Sequence, residues 1–419
     1  MPRASLRLAG LLLAGVALPA PAAERWRPTI GQAFAKIQRD GKPYAAFYDY
    51  YICPHAVEGD GKVFCAYQDG GGRPIAMAYD PASKAWAGPV RASDHGLGAD
   101  THGNPSVCLD GRGRVHLFFG CHGRAMWHVR SKRPYDITEW EKMPSPTDRA
   151  TYPETLRLAD GRLLLFYRAG GHMEPWSMRT SRDDGESWSP AERIIEMRLK
   201  PKDRLAAAYC AFLPGAAYRT VHCFFVHKDD NPGSGRGKPH PWRPLKYPGL
   251  HEAVYRYNVY YIRRDADGTW RGCDGTALTL PLSKAEADLH ARVYDTGDEF
   301  AGHRRIAIGP DDTPYLRFTV GVSDWTSGKV LVPHKTKFTA PRGGTWQVHD
   351  ELPGDWPEAV RRAILTPGPA AYGKTFPNPW FIHHARGAKA DPTATYIWLG
   401  HVEAGYATRA AGPAASAQD

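Results

Sequence analysis

Beyond residue 23, this 419-residue chain has no apolar run long enough to cross a bilayer, so no helical membrane span is expected in the mature protein. It also lacks the lysine or arginine runs that grip nucleic acid. There are 54 basic and 44 acidic residues, but the basic ones are scattered, and a net charge of +10 points instead toward an acidic polysaccharide. Helix signals are confined to two short stretches, Lys284 to His290 and Trp356 to Ile364. No Arg-Ile-Pro motif of the sialidase kind stands near the start, where Arg27-Pro28 is a poor substitute. Seven cysteines cannot all pair within one chain, and their spacing matches no short zinc motif.

What is present begins with a leader. Met1 to Ala23 reads as a secretory signal peptide: Arg3 and Arg7 form its basic start, an apolar core follows, and Ala20 to Ala23 supply small residues for cleavage. The expectation is an exported monomer, periplasmic or extracellular, with residues 24–410 as one catalytic domain and 411–419 as a flexible tail.

Repetition gives the fold class. Asp60-Gly61, Asp110-Gly111 and Asp160-Gly161 recur every 50 residues, each followed by a β-rich run, and a tryptophan closes each unit at Trp86, Trp140 and Trp188. Less regular copies end at Trp270 and Trp346. A four-stranded unit repeated at this period predicts an all-β chain folded as a β-propeller, counted here as seven-bladed. Two β-sandwiches, the rival architecture, would not predict that phase. Ser181, Asp183, Gly185, Ser187 and Trp188 match the S-x-D-x-G-x-[ST]-W Asp-box, a structural turn that carries no chemistry of its own.

The most informative stretch is Asp100 to Gly123. Two apolar-rich runs, Pro105 to Leu109 and Val115 to Phe119, flank Asp110-Gly111-Arg112-Gly113 and predict a hairpin in which paired residue numbers sum to about 223. His102 and His122 sum to 224, so two imidazoles are expected at its open end. The plain alternative is a pair of edge histidines bonded to loop backbone.

Taken together, Asp100-Thr101-His102-Gly103-Asn104-Pro105, Gly120-Cys121-His122, Leu165 to Gly171, the Asp-box and Arg256-Tyr257-Asn258-Val259-Tyr260-Tyr261 resemble the BNR-type propeller family. That family includes ulvan lyases and rhamnose-glucuronate lyases. The resemblance covers nearly the whole mature chain. It implies β-elimination on a uronate glycan in a central groove, with histidine and tyrosine exchanging protons and an arginine meeting the carboxylate.

On that reading His122 is the chief proton-transfer group, His102 supports it, Tyr167 is the tyrosine, and the family spacing selects Arg182 over Arg179 and Arg168. Asn104, Arg179, Arg256 and Asn258 are the expected substrate contacts. The chemistry itself requires no metal, since imidazole and phenol can serve as base and acid. A structural zinc or calcium ion on His227, His251 and Cys273 is a separate expectation, against which disulfides compete in an exported chain. Cys210 and Cys223 are expected opposite one another, as a disulfide or as two ligands; Cys53 with Cys65 is a weaker pair. A sialidase-like hydrolase and a non-catalytic glycan-binding propeller remain as alternative functions.

Overall fold

In the computed structural model, the residues described are 35–39, 42–43, 54–98, 100–171, 174–198, 206–229, 256–324, 327–365, 380–386, 395–401 and 405–407. The leader, the tail, Cys53, His251 and most of the Gly/Pro-rich stretch from Asp229 to Leu250 lie outside them.

Where Asp-Gly turns alternate with β-branched and aromatic runs, the chain forms antiparallel sheets in sequence order. The first is Ala56–Gly59, Lys62–Gln68, Pro74–Asp80 and Ala85–Arg91; the second is Ser106–Leu109, Val115–Phe119, Trp127–Ser131 and Trp140–Lys142. The third is built on Ala150–Arg157, Leu163–Arg168, Trp176–Ser181 and Glu192–Glu196, with His122–Arg124 added at its inner edge. The fourth is Ala206–Pro214, Val221–Asp229, Arg256–Arg264 and Trp270–Gly272, and the fifth is Phe300–Ile308, Pro314–Ser323, Val330–Arg342 and Thr345–His349. The sixth joins the chain's ends, because Ala35–Arg39 pairs with Thr395–His401, which pairs with Trp380–Arg386.

Neighbouring sheets bury apolar faces against one another. Val63 and Met77 pack with Ile382 and Leu399, Phe64 with Leu117, Phe118 with Leu165, Phe166 with Phe212, Tyr257 with Phe300, and Tyr315 with Phe381. These contacts close a ring, so the fold is a β-propeller. Among the described residues it shows six sheets where the repeat count led us to expect seven.

Trp86, Trp140, Trp270 and Trp346 all stand at or next to the start of an outermost strand, which explains their phase. In the Asp-box, Asp183 Oδ1 accepts from the Ser187 amide at 3.0 Å, and Trp188 meets Phe118 edge-on. Gly185 has φ +81° there, and a Cβ would come within 3.1 Å of His116 and 3.2 Å of His128. The helix signals resolve as a turn at Lys284–Glu286 that continues through Ala287–Ala291, and a helix at Glu358–Leu365.

The predicted hairpin pairs Ser106 with Phe118 and Leu109 with Val115, a sum of 224. Cys210 faces Phe225 and Cys223 faces Phe212, two positions out of the expected register. The metal trio is also corrected. His227 stands opposite Tyr257, while Cys273 follows Gly272, which stands opposite Ile262; that offset of five strand positions is roughly 16 Å, too far for one ion to join them.

Candidate functional site

The first strands of neighbouring sheets touch along the axis, and the site forms where they begin. Asp100 caps the single turn Thr101–Gly103, its Oδ1 accepting from the His102 amide at 2.9 Å. The same carboxylate takes both histidines: Oδ1 lies 2.5 Å from His102 Nδ1, and Oδ2 lies 2.6 Å from His122 Nδ1. The two rings stack with centroids 3.8 Å apart and planes 14° apart. His122 arrives on the edge strand His122–Arg124, where it pairs with Thr151.

The Asp100 carboxyl is lowered to about 2: burial works against ionisation, but hydrogen bonds from the His102 amide and both imidazoles, with the charge of His102, outweigh it. An ionised carboxylate only accepts, so each Nδ1 is the protonated nitrogen and each Nε2 keeps a lone pair. Burial foremost lowers His102 to about 4, opposed by its bond to Asp100 and reinforced by the charges of His122 and Arg168. His102 Nε2 accepts from the Tyr152 hydroxyl at 3.2 Å. His122 Nε2 has no such partner among the described residues, and the His122 side chain is 29% exposed against 19% for His102.

Tyr152, which the sequence reading passed over, is placed here by a bulge between Thr151 and Glu154; its φ of +61° costs about 1–3 kcal/mol in a residue with a side chain. Behind its ring lies Arg168. The Arg168 guanidinium carbon is 4.7 Å from the Tyr152 ring centre and 5.9 Å from that of Tyr209, and the residue is wholly enclosed. Lys228 and Arg256 each sit 5.1 Å from the same Tyr209 ring.

Several expected site residues stand elsewhere. Tyr167 is buried in the seam between the second and third sheets, where its hydroxyl accepts from Arg179 Nε at 3.1 Å; Arg179 also donates to the Ser189 carbonyl. Both side chains are therefore structural. Arg182 is exposed on the Asp-box turn. Ser181, its neighbour, pairs with Leu163, whereas Arg168 pairs with Trp176, so Arg182 is displaced from the site by about five strand positions, roughly 17 Å. Asn104 is fully buried and neither of its amide atoms has a hydrogen bond among the described residues, so it offers no surface to a substrate. Asn258, at φ +55°, spends its side chain on Tyr260 and the Thr296 amide. Arg256 alone of the expected contacts is half-buried at this end of the sheets.

Among the described residues, Asp100, His102 and His122 are the one group with three donor atoms at metal-binding spacing, all within 4.8 Å of one another. Their fit to an ion is poor, because both Nδ1 atoms already give their protons to the carboxylate that would be the third ligand. A separate cavity of about 320 Å³, lined by Glu58, Tyr135, Arg157 and Tyr218, opens at the far ends of the inner strands. It does not include the histidines.

The fold and site define a basic β-propeller that carries, among the described residues, one His-His-Asp constellation where its inner strands begin. The chain belongs to the BNR repeat-containing family, whose model matches residues 42–349. It is similar to the ulvan lyase PL25 of Pseudoalteromonas sp. (strain PLSV), 24% identical over 341 residues, which cover 75% of this chain and 67% of that one. An ulvan lyase of Alteromonas sp. (strain LOR) is 25% identical over 318 residues, covering 70% of this chain and 63% of the other. In fold it is similar to a PL25 ulvan lyase solved with -[GlcA(1-4)Rha3S]-, with a TM-score of 0.64, 19% identity, and coverage of 90% of this chain and 85% of that one.

Proposed function

We propose that this chain is a polysaccharide lyase that cleaves an ulvan-type, uronate-containing glycan by β-elimination, acting as a single exported protein. The relatives named ulvan lyases and the excess of positive charge support the substrate class. The observation that carries the reaction is the pair of hydrogen bonds that Asp100 accepts from His102 and His122, which turns an imidazole lone pair outward at His122.

In this reading His122 Nε2 takes the proton from C5 of the uronate. The C5–H electrons form the C4=C5 double bond, the C4–O4 bond breaks, and its electrons leave on O4. In glucuronate the C5 hydrogen and C4 oxygen lie on one side of the ring, so the same imidazolium returns the proton to the departing oxygen. His102, held by Asp100 and Tyr152, fixes the stacked partner ring. Arg256, half-buried at the same end of the sheets, is a candidate cation for the uronate carboxylate, and a guanidinium suits a carboxylate better than an ammonium does.

The test is incubation of the mature protein with ulvan and with other 4-linked uronate polymers. Unsaturated, ultraviolet-absorbing uronate ends are expected, and the His122→Ala protein should release none. Saturated reducing ends would identify a hydrolase, and tight binding without cleavage a binding module.

A further inference from the structure

Arg168 is the least expected charge in the protein. The residue is 0% exposed, and Nε, Nη1 and Nη2 are all buried without a hydrogen bond to the described residues. It ends the strand Leu163–Arg168 opposite Thr151, the same residue that faces His122 from the other side. Two tyrosine rings cover it, at 4.7 and 5.9 Å.

An unpaired cation sealed from water is costly, and contact with aromatic faces returns only part of that cost. A methionine of similar volume would fill the same space without that penalty. The charge must therefore be retained for something other than folding. Because each guanidinium nitrogen is covered, no substrate oxygen reaches it in this packing.

We propose that Arg168 is a positioning residue that acts on the elimination through its charge, from inside the wall of the site, without touching the substrate. This rests on the lyase reading of the same site. Removal of the C5 proton moves negative charge onto the uronate carboxylate, and a fixed cation in a low-dielectric wall lowers the energy of that anion with no reorganisation. The same charge, with His122, opposes protonation of His102, against Asp100, which favours it. Tyr152 lies between: its ring covers Arg168 and its hydroxyl binds His102.

The experiment compares Arg168→Met and Arg168→Lys with the parent in thermal unfolding, in steady-state kinetics on ulvan, and in the pH titration of the His102 ring followed by NMR. Arg168→Met should melt at or above the parent's temperature, lose on the order of 10²-fold in kcat with KM nearly unchanged, and titrate His102 at higher pH. Arg168→Lys should restore part of the rate. The His102 titration needs no turnover, so it tests the inference even if the substrate assignment fails. An Arg168→Met protein that melts well below the parent while keeping kcat and the His102 titration would make Arg168 a packing residue and overturn the proposal, as would a rise in KM alone, which would mean direct substrate contact.

Discussion

His102 and His122 stack at 3.8 Å although they belong to different sheets, one entering the innermost strand of the second and the other lying on the inner edge of the third. Two imidazolium ions at that separation would repel by a few kcal/mol even at an effective dielectric near 20. Asp100 is the carboxylate that bonds both rings and offsets positive charge on either.

Asp100→Asn tests that arrangement. An amide can accept from only one of the two Nδ1–H groups through its oxygen, so one ring loses its tautomer and orientation. The expected result is a loss of about 10²- to 10⁴-fold in kcat with a small change in melting temperature. A variant within threefold of the parent, roughly 0.6 kcal/mol, would remove Asp100 from the mechanism.

Tyr152→Phe and Tyr167→Phe separate the two tyrosines. Loss of the Tyr152 hydroxyl frees His102 Nε2 and should slow elimination roughly tenfold, in line with one hydrogen bond of about 1–1.5 kcal/mol. Tyr167→Phe removes only the contact with Arg179 in the seam and should lower stability by about 1 kcal/mol at unchanged kcat. Arg182→Ala, on the exposed turn, should leave both quantities near the parent's. Kinetics and melting of the three proteins together decide the assignment.

Acid should weaken the fold from a predictable pH. His116 Nε2 binds Asp110 at 3.2 Å, and its Nδ1 lies 2.9 Å from His128 Nε2, deep in the second sheet. Burial first, then nearby positive charge, lowers both histidines from 6.5, and burial likewise lowers His102 to about 4. Below pH 6.5 the unfolded chain thus binds more protons than the native one, and stability falls with pH. Asp110 and Asp100, lowered from 3.8 to about 2 chiefly by bonds that overcome burial, add a second loss as pH drops below 3.8. Melting temperature should be level above pH 6.5 and decline below it. His128→Gln should flatten the first part of the decline; an unchanged slope would exclude that pair as its source.

Chelation should not affect the rate. Both Asp100 oxygens are taken by imidazole N–H groups, and the proposed step uses only His122. Dialysis against EDTA, followed by assay on ulvan, is expected to return the parent's kcat. A loss restored by zinc or calcium would place a cation in the reaction or in its support.

The local pattern of the chain was sufficient for the propeller. Alternating β-runs, Asp-Gly turns and the tryptophan phase are short-range signals, and the hairpin of Ser106–Leu109 with Val115–Phe119 lies within one residue of the expected register, although His122 itself pairs with Thr151 of the next sheet. Asp100 was visible as part of the motif, but its role was not, because a carboxylate two residues from one histidine and 22 from another shows its two hydrogen bonds only in space. Tyr167 and Arg168 are adjacent in sequence and point to opposite faces of one strand, so spacing alone could not tell which of them backs the site wall. Only the tertiary structure could, since the bulge at Tyr152 turns a different tyrosine onto His102 and the neighbouring sheet's Tyr209 seals Arg168 beneath it. Side-chain direction at a bulge and burial between sheets depend on contacts far apart in the chain, and no local period encodes them.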